Sequence, residues 1–405
     1  MRAGIFYIFS DLHEQIKIKK MQNDFFSLVS PLFKVEEVQK YDFSCCDLVI
    51  ISVLTGGTEN QFIEIWPDLQ NSGRPFILVA FNNDNSLPAT LEIKTWLNEH
   101  NIAAPIVHGD LESIAQKLAL QVEIHQTKAA IARETAGVIG DPSDWLIASN
   151  PDYRELEKKL GIRFNLIPMT EFKNLLNNLK ETESADFSKA FARFFEGKDP
   201  IEYKKAEKIY LALEKALHNY CLTSLTIRCF DILESETTTG CLALSLLNDK
   251  GIVAGCEGDV PTLVSMIIAR HATKKPVFMA NPSRLSENEI VLAHCTAPCS
   301  MLEDFTIDTH FESDTGLAVS GLLPQGPVTL FKIDPRAESY VLSEGKIVQF
   351  EHEKNLCRTQ VRAIFEGIED RLLKKPLGNH QVLIQGHYGQ KIKELCDLLK
   401  IKPAW

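Results

Sequence analysis

The sequence predicts an α/β fold class: two doubly wound α/β domains followed by a β-rich, barrel-like C-terminal domain. Up to His294, continuous apolar runs alternate with amphipathic segments, which is typical of parallel strands that are buried on both faces and connected by helices. After His294, the apolar segments become short and are interrupted by Gly, Pro and Asp, which is typical of antiparallel sheets. We therefore expect domains at residues 1–135, 136–300 and 301–405, the last of which ends in a helix.

The composition of the chain argues against several classes of protein. A net charge of −11 over 405 residues disfavours nucleic-acid binding through a basic face, because phosphate contacts need clustered Lys and Arg. No apolar run approaches the roughly 20 residues that cross a bilayer, and the first apolar run is too short for a signal peptide. The ten cysteines form no metal-type CxxC pairs, which favours reduced thiols over a disulfide framework. We expect a cytoplasmic protein without nucleic-acid or membrane partners.

The first domain is predicted from apolar strands and the amphipathic helices between and after them. One loop stands out, because Thr55–Glu59 carries a glycine pair directly after a strand. Its spacing matches neither a dinucleotide nor a P-loop fingerprint, so a tight turn is the preferred interpretation. The predicted strands are Gly4–Phe9, Asp47–Leu54 and Pro75–Phe81, and the clearest predicted helices are Leu91–His100 and Leu111–Val122.

The second domain begins at Gly137 with a short strand and a turn that leads into helical segments. Leu222–Leu233 is predicted as a strand, in which Arg228 and Asp231 either point into a ligand crevice or form a structural ion pair. The polar segment Thr182–Pro200 predicts a loop. The predicted helices are Tyr153–Leu160, Thr170–Leu179, Ile201–Tyr220 and Thr239–Leu247.

Residues 251–300 are predicted to carry the active site. Their pattern predicts a strand, a helix, a strand, a turn and a strand, and each strand ends in polar or charged residues that can bind a ligand or transfer a proton. Polar groups at the carboxyl ends of parallel strands face a shared crevice in which ligands bind. One of them, Asp259, also suits the N-cap of the helix that follows it. The polar residues are Glu257 and Asp259 after the first strand, Asn281 and Arg284 after the second, and His294 at the end of the third.

Two histidine-containing segments of the C-terminal domain are candidates for ligand binding. His310 and Glu312 lie at strand spacing on one face, where they form half of a metal site or a solvent-facing polar pair. His380 follows Gly378 and Asn379 at the start of a predicted strand, which suits either a metal ligand or a capped loop residue.

Four motifs in this order resemble the L-fucose isomerase and L-arabinose isomerase superfamily. The order of the parts, two α/β domains and then a β-rich domain, is also similar. The resemblance covers nearly the whole chain, although the N-terminal part contributes only topology and the Thr55–Glu59 loop. The motifs are CEGD at Cys256–Asp259, LAHCTAP at Leu292–Pro298, HFES at His310–Ser313, and GNH at Gly378–His380 with the strand after it.

The resemblance implies a metal-dependent aldose–ketose isomerase, which is an intramolecular oxidoreductase of carbohydrate metabolism. In this superfamily a divalent metal, usually Mn²⁺, is bound by two carboxylates and at least one histidine, and a proton moves between adjacent carbons through an enediol. Glu257 matches the first carboxylate, as metal ligand and candidate base. His380 matches the C-terminal histidine ligand, and His294 resembles a histidine that lies close to the metal. The expected substrate-binding residues are Arg284, His310 and Asn379.

The sequence departs from the superfamily at the second carboxylate, where Asn281 stands. An Asn side chain can offer its amide oxygen to a metal, but it cannot abstract a proton. We count Asn281 and Asp259 with Glu257 as catalytic candidates. Asp259, Glu303 or Asp304 are the nearby acids that can take the place of the missing second carboxylate. The alternatives are a diverged member that binds a sugar or sugar acid without isomerising it, or one that catalyses another metal-dependent reaction.

The resemblance also implies a homo-oligomer. Members of the superfamily are trimers or hexamers whose active sites are completed by the N-terminal domain of a neighbouring subunit. The Thr55–Glu59 loop is the candidate for that role here. The expected partners are therefore a small-molecule sugar and further copies of the same chain.

Overall fold

The computed structural model describes residues 1–180, 183–196, 200–349 and 352–405. These residues group into two compact units, 1–126 and 127–405. Each unit combines helices with strands, and two of the three sheets are parallel throughout, which confirms the predicted α/β fold class. The predicted division into three domains stays a prediction.

The first unit is a five-stranded parallel sheet with helices on both faces. Its strands are β1 (Ala3–Ile8), β2 (Val35–Glu37), β3 (Leu48–Val53), β4 (Phe76–Phe81) and β5 (Ile106–Gly109), and its helices are α1 (Gln15–Val29), α2 (Glu59–Ser72), α3 (Ser86–Glu99) and α4 (Leu111–Ile131). The strand order is β2-β1-β3-β4-β5. Every residue of β3 and β4 is buried, because α1 and α4 cover one face of the sheet and α2 and α3 cover the other. The parallel organisation predicted from these apolar runs is confirmed.

The second unit begins with a smaller parallel sheet. Its strands are β6 (Thr135–Ile139), β7 (Arg163–Ile167), β8 (Ser224–Ile227) and β9 (Val253–Cys256), in the order β7-β6-β8-β9. The helices of this part are α5 (Tyr153–Leu160), α6 (Met169–Asn177), α7 (Ala185–Phe191), α8 (Ile201–Asn219), α9 (Phe230–Glu236), α10 (Cys241–Asp249) and α11 (Val260–Thr273). The carboxyl ends of β6, β8 and β9 lie side by side, so the loops that follow these strands meet at one edge of the sheet.

Two local predictions for this part are wrong. The strand predicted at 222–233 ends at Ile227 and is followed by α9, and Arg228, which precedes the helix, forms an ion pair with Asp231 inside it at 2.8 Å. The loop predicted at 182–200 contains α7, whose Phe187 and Phe191 are buried. Residues 182 and 197–199 of that loop lie outside the described residues.

The remaining strands form a nine-stranded mixed sheet. They are β10 (Phe278–Ser286), β11 (Glu289–His294), β12 (Asp304–Thr309), β13 (Leu317–Leu322), β14 (Gly326–Ile333), β15 (Ser339–Val348), β16 (Thr359–Ile364), β17 (Gln381–Gln385) and β18 (Lys402–Pro403). Their order is β12-β13-β16-β11-β10-β17-β14-β15-β18, and β15 also pairs with β16. Most pairs are antiparallel; β13–β16 and β15–β18 are parallel. The barrel-like shape predicted for this part stays a prediction.

The sequence of residues 251–300 predicted that β10 and β11 belong to a parallel sheet, and this prediction is wrong. They form an antiparallel hairpin within the mixed sheet, in which Ser286 pairs with Glu289 across a two-residue turn. A parallel pair needs a crossover of a dozen or more residues, which this turn cannot supply. The hairpin places Asn281 opposite Ala293, next to His294, so the two polar residues still lie at the same end.

Short helices complete the chain. Among the residues that the structure describes, three single 3₁₀ turns lie at Phe43–Cys45, Ala192–Phe194 and Cys299–Met301. The last two α-helices are α12 (Ile368–Lys374) and α13 (Gly389–Leu398), of which α13 contacts β15 and α11. None of the described helices has the length and apolar character that a membrane crossing requires.

Candidate active site

A strained turn at the end of β9 presents Glu257. Glu257 has a backbone φ of +61°, a conformation that residues other than Gly rarely adopt. Gly258 follows with a φ of +69°. The loop after β6 holds this turn, because the Ser143 N–H donates to the Glu257 carbonyl at 2.9 Å. The Gly258 N–H donates to the carbonyl of Ile227, the last residue of β8. Strand and loop together fix the backbone of Glu257.

Glu257, His294 and His380 form a buried cluster. The Oε1 atom of Glu257 lies 3.4 Å from Nε2 of His380 and 3.7 Å from Nε2 of His294. The potential ligand atoms of the three side chains all lie within 4.8 Å of one another. His294 ends β11 and His380 directly precedes β17, so the mixed sheet supplies both imidazoles and the parallel sheet supplies the carboxylate. The proximity predicted for Glu257 and His380 is present.

Each histidine of the cluster is oriented by a second polar group. Nδ1 of His380 lies 2.8 Å from Oδ2 of Asp259 and must donate to it, since a carboxylate only accepts. Nδ1 of His294 bonds the Thr296 hydroxyl at 3.1 Å. Both Nε2 atoms therefore face Glu257, and that of His380 is buried without a hydrogen-bond partner. Metal-ligating histidines use their second ring nitrogen in this way.

Asp259 has a supporting position. It is the N-cap of α11, where it accepts from the Thr262 N–H at 2.9 Å and from the Thr262 hydroxyl at 2.7 Å. The ammonium of Lys332 lies 3.6 Å from Asp259 Oδ1 and also donates to the Thr262 hydroxyl. Both charged side chains are fully buried. Asp259 thus links α11, Lys332 and His380, and the N-cap predicted from the sequence is confirmed.

The charges in the cluster couple the binding of a cation to the release of a proton. Burial acts to raise the pKa of Glu257, but the nearby imidazoles of His294 and His380 outweigh it and hold that pKa below its ordinary range. Burial likewise acts to raise the pKa of Asp259, and the positive charge of Lys332, followed by His380, lowers it. Burial lowers the pKa of His380, yet the carboxylates of Asp259 and Glu257 raise it to about 9. Two carboxylates thus hold a proton on His380, and metal binding at such sites releases protons.

The donor set fits a first-row divalent ion. Within the described part of the chain, this cluster is the one group of three or more His, Cys, Asp or Glu side chains arranged to hold a metal ion. One carboxylate oxygen and two imidazole nitrogens suit Mn²⁺ or a similar ion better than Ca²⁺, which prefers oxygen ligands alone. The orphaned Nε2 of His380 supports the same conclusion, since a buried polar atom without a partner is costly.

A pocket opens beside the cluster. Glu257 and His294 line it, together with Asn281, His310 and Glu312. The amide oxygen of Asn281 is buried and has no hydrogen-bond partner. Phe230, Leu233 and five cysteines form the apolar part of the lining: Cys229, Cys241, Cys256, Cys295 and Cys357.

The structure does not bring every predicted site residue to this pocket. Arg284 lies beyond a bulge in β10 and forms an ion pair with Glu353 at 2.7 Å. Asn379 is exposed, and neither it nor Arg284 lines the pocket. Their assignment as substrate-binding residues stays a prediction. The further acids Glu303 and Asp304 are exposed and do not line the pocket either.

The substitution Gly258→Ala tests the importance of the turn. A Cβ at Gly258 would lie 2.8 Å from the Asp141 carbonyl oxygen and 2.9 Å from Pro142 Cα, and backbone atoms cannot move aside cheaply. We expect a loss of about 1–3 kcal/mol in the free energy of unfolding, measured by urea denaturation. Gly73→Ala is the matched control, because Gly73 has a φ of +62° with nothing within 4 Å. Equal losses in the two variants would show that the close approach is unimportant.

Three curated proteins are similar to this chain, whereas no protein-family model matches it. Sulfoquinovose isomerases from Priestia aryabhattai and Priestia megaterium are each 23% identical over 334 residues, which is 78% of this chain and 75% of the relative. A sulfoquinovose isomerase from Alkalicoccus urumqiensis is 20% identical over 322 residues, or 75% of this chain and 72% of the relative. All three relatives are isomerases. They confirm the prediction that this chain is an isomerase.

Proposed function

We propose that this chain is a metal-dependent aldose–ketose isomerase of the L-fucose/L-arabinose isomerase type, with Glu257, His294 and His380 as ligands of a divalent ion, Mn²⁺ or similar. The buried cluster with its unpartnered His380 Nε2 is the observation that carries the proposal. Relatives that are named as isomerases of a sugar support it. The homo-oligomer and the cytoplasmic location expected from the sequence stay predictions.

The chemistry of the site has a contribution from the ion and one from the chain. A divalent ion supplies a Lewis acid that polarises the sugar carbonyl and stabilises the charge that develops on the enediol oxygens. Glu257 would bring a negative charge and the histidines two imidazole nitrogens, and Nε2 of His380 would lose its proton when the ion binds. Asp259 cannot reach a substrate, because it is fully buried and bonded to Thr262 and His380. We therefore assign Asp259 to positioning His380.

Two further pocket residues act on the sugar itself. The unpartnered amide oxygen of Asn281 accepts a hydrogen bond from a sugar hydroxyl, which relieves its buried, unsatisfied state. Glu312 is the second carboxylate of the pocket lining. It takes the proton from the carbon next to the carbonyl and returns it to the neighbouring carbon, the step that Asn281 cannot perform. His310 lines the same pocket and bonds the Ser313 hydroxyl at 3.1 Å, which fixes its ring.

Isomerisation in deuterated water tests this assignment. We expect a sugar product that carries one deuterium from solvent, detected by NMR, because the transferred proton visits a carboxylate that exchanges with water. Glu312→Gln is expected to lower kcat by about 10²- to 10⁴-fold with little change in sugar binding, since it removes the base and keeps the side-chain volume. Glu303→Gln is the control, because Glu303 is an exposed acid outside the pocket. Full activity of Glu312→Gln would remove Glu312 from the mechanism.

A second candidate function is sugar binding without turnover. The observation that favours it is Asn281, which stands where the superfamily places an acid that handles a proton. Tight binding of a sugar without any incorporation of solvent deuterium would support this candidate. Deuterium at the carbon next to the carbonyl would exclude it.

A further inference from the structure

One oxygen of Glu257 faces the histidines, and a tryptophan holds the other. The indole N–H of Trp145 donates to Glu257 Oε2 at 2.7 Å, while Oε1 lies toward His294 and His380. Trp145 stands in the loop between β6 and α5, 112 positions before its partner. The two carboxylate oxygens of Glu257 therefore have different and specific neighbours.

The loop that carries Trp145 is held in place from several sides. The Ser143 N–H bonds the Glu257 carbonyl, and the Leu146 N–H bonds the Ser143 carbonyl, so this segment turns over Glu257. The guanidinium of Arg228 bonds the Pro142 carbonyl and both carboxylate oxygens of Asp144. The donor of Trp145 is therefore presented by an ordered loop.

The position of the indole does not suit a simple packing role. The Trp145 residue is 51% exposed, so it adds little to a core. Its ring packs edge-on against Phe230, with centroids 4.7 Å apart at 84°, and Phe230 lines the pocket. Because the indole N–H is the only polar group of this exposed side chain and it donates to a buried carboxylate, the hydrogen bond holds that carboxylate in one orientation.

We propose that Trp145 is a positioning residue that sets the orientation of Glu257, and thereby the affinity of the Glu257, His294 and His380 cluster for a divalent ion. This inference rests on the proposed function. It matters here because the cluster contains a single carboxylate, so one rotation of Glu257 would remove its only charged ligand. Substitution of a group that orients a metal ligand typically lowers metal affinity or activity by about 10- to 100-fold.

Trp145→Phe separates the hydrogen bond from the ring. It keeps an aromatic ring against Phe230 and removes the N–H donor. We expect Mn²⁺ to bind the metal-free variant about tenfold or more weakly than the metal-free wild type in a calorimetric titration. The thermal midpoint measured without Mn²⁺ should fall by only a few degrees, because Glu257 Oε2 loses a single donor. Ile147→Ala is the matched control, since Ile147 is 83% exposed on the same loop, and it should bind Mn²⁺ like the wild type.

The possible outcomes separate the two proposals. Equal Mn²⁺ affinity of Trp145→Phe and wild type would overturn the role of Trp145 and leave the proposed metal site intact. Equal losses of affinity in Trp145→Phe and Ile147→Ala would also overturn it, because a general disturbance of the loop would then be the cause. A wild type that binds no Mn²⁺ would overturn both the metal site and this inference.

Discussion

Glu257→Gln is expected to abolish Mn²⁺ binding and to lower kcat for isomerisation by about 10²- to 10³-fold or more. The substitution removes the only charge that the cluster offers to a cation. The amide oxygen of Gln can still accept from the Trp145 indole, so the loop over the site should stay in place. Calorimetric Mn²⁺ titration and steady-state kinetics measure the two effects.

The control for this variant is another buried glutamate that is bonded to a histidine. Glu134 lies 2.6 Å from Nε2 of His271 in the same unit and does not line the pocket. Glu134→Gln should therefore keep its Mn²⁺ affinity, even though it loses an ion pair. Retention of full activity by Glu257→Gln would show that this cluster is not the active site.

Lys332→Met is expected to have the largest effect on stability, a loss of about 3–5 kcal/mol in the free energy of unfolding. Lys332 and Asp259 are both fully buried, and removal of the ammonium leaves the carboxylate charged without its lysine partner. The cost lies in a buried carboxylate that keeps only His380 and Thr262 as partners, rather than in the lost attraction. Urea denaturation of the metal-free protein measures it.

A double substitution distinguishes the buried charge from simple loss of packing. Lys332→Met combined with Asp259→Asn removes both charges and keeps a residue that caps α11 well, so most of the lost stability should return. Lys374→Met, which breaks an exposed pair with Asp370, should have almost no effect. A double variant that is less stable than Lys332→Met alone would contradict this account of the buried pair.

The position of the candidate site could be predicted because its residues lie at the ends of apolar strands. Glu257 follows β9, His294 ends β11 and His380 precedes β17. Polar residues at such positions are visible in the sequence, since the middle of each strand is apolar. The N-cap role of Asp259 was also visible, because a proline follows two positions later at an early helical position.

The sheet to which β10 and β11 belong could not be predicted in the same way. Residues 287 and 288 form their turn, and this pair lacks the glycine that usually marks a two-residue hairpin. Continuous apolar strands also occur in parallel sheets, so the pattern alone favoured the wrong partner. Pairing of β10 with β17 joins residues about 100 positions apart and leaves no local signal.

The residues that support the site were missed for a similar reason. Trp145 and Lys332 each contact the site from a distant part of the sequence, and no period or motif connects them with Glu257 or Asp259. The strand spacing predicted for His310 and Glu312 is wrong, because β12 ends at Thr309 and residues 311–313 form a turn, and the sequence did not show that both residues line the pocket. Short-range patterns predict elements and caps, whereas contacts between elements depend on the assembled fold.

A crystal soaked with Mn²⁺ tests the central claim most directly. We predict an anomalous difference peak about 2 Å from Glu257 Oε1 and from Nε2 of both His294 and His380. A manganese peak away from these atoms, or no peak in a protein that isomerises a sugar at full rate with the metal chelated, would contradict the assignment of this cluster as the metal centre of an isomerase.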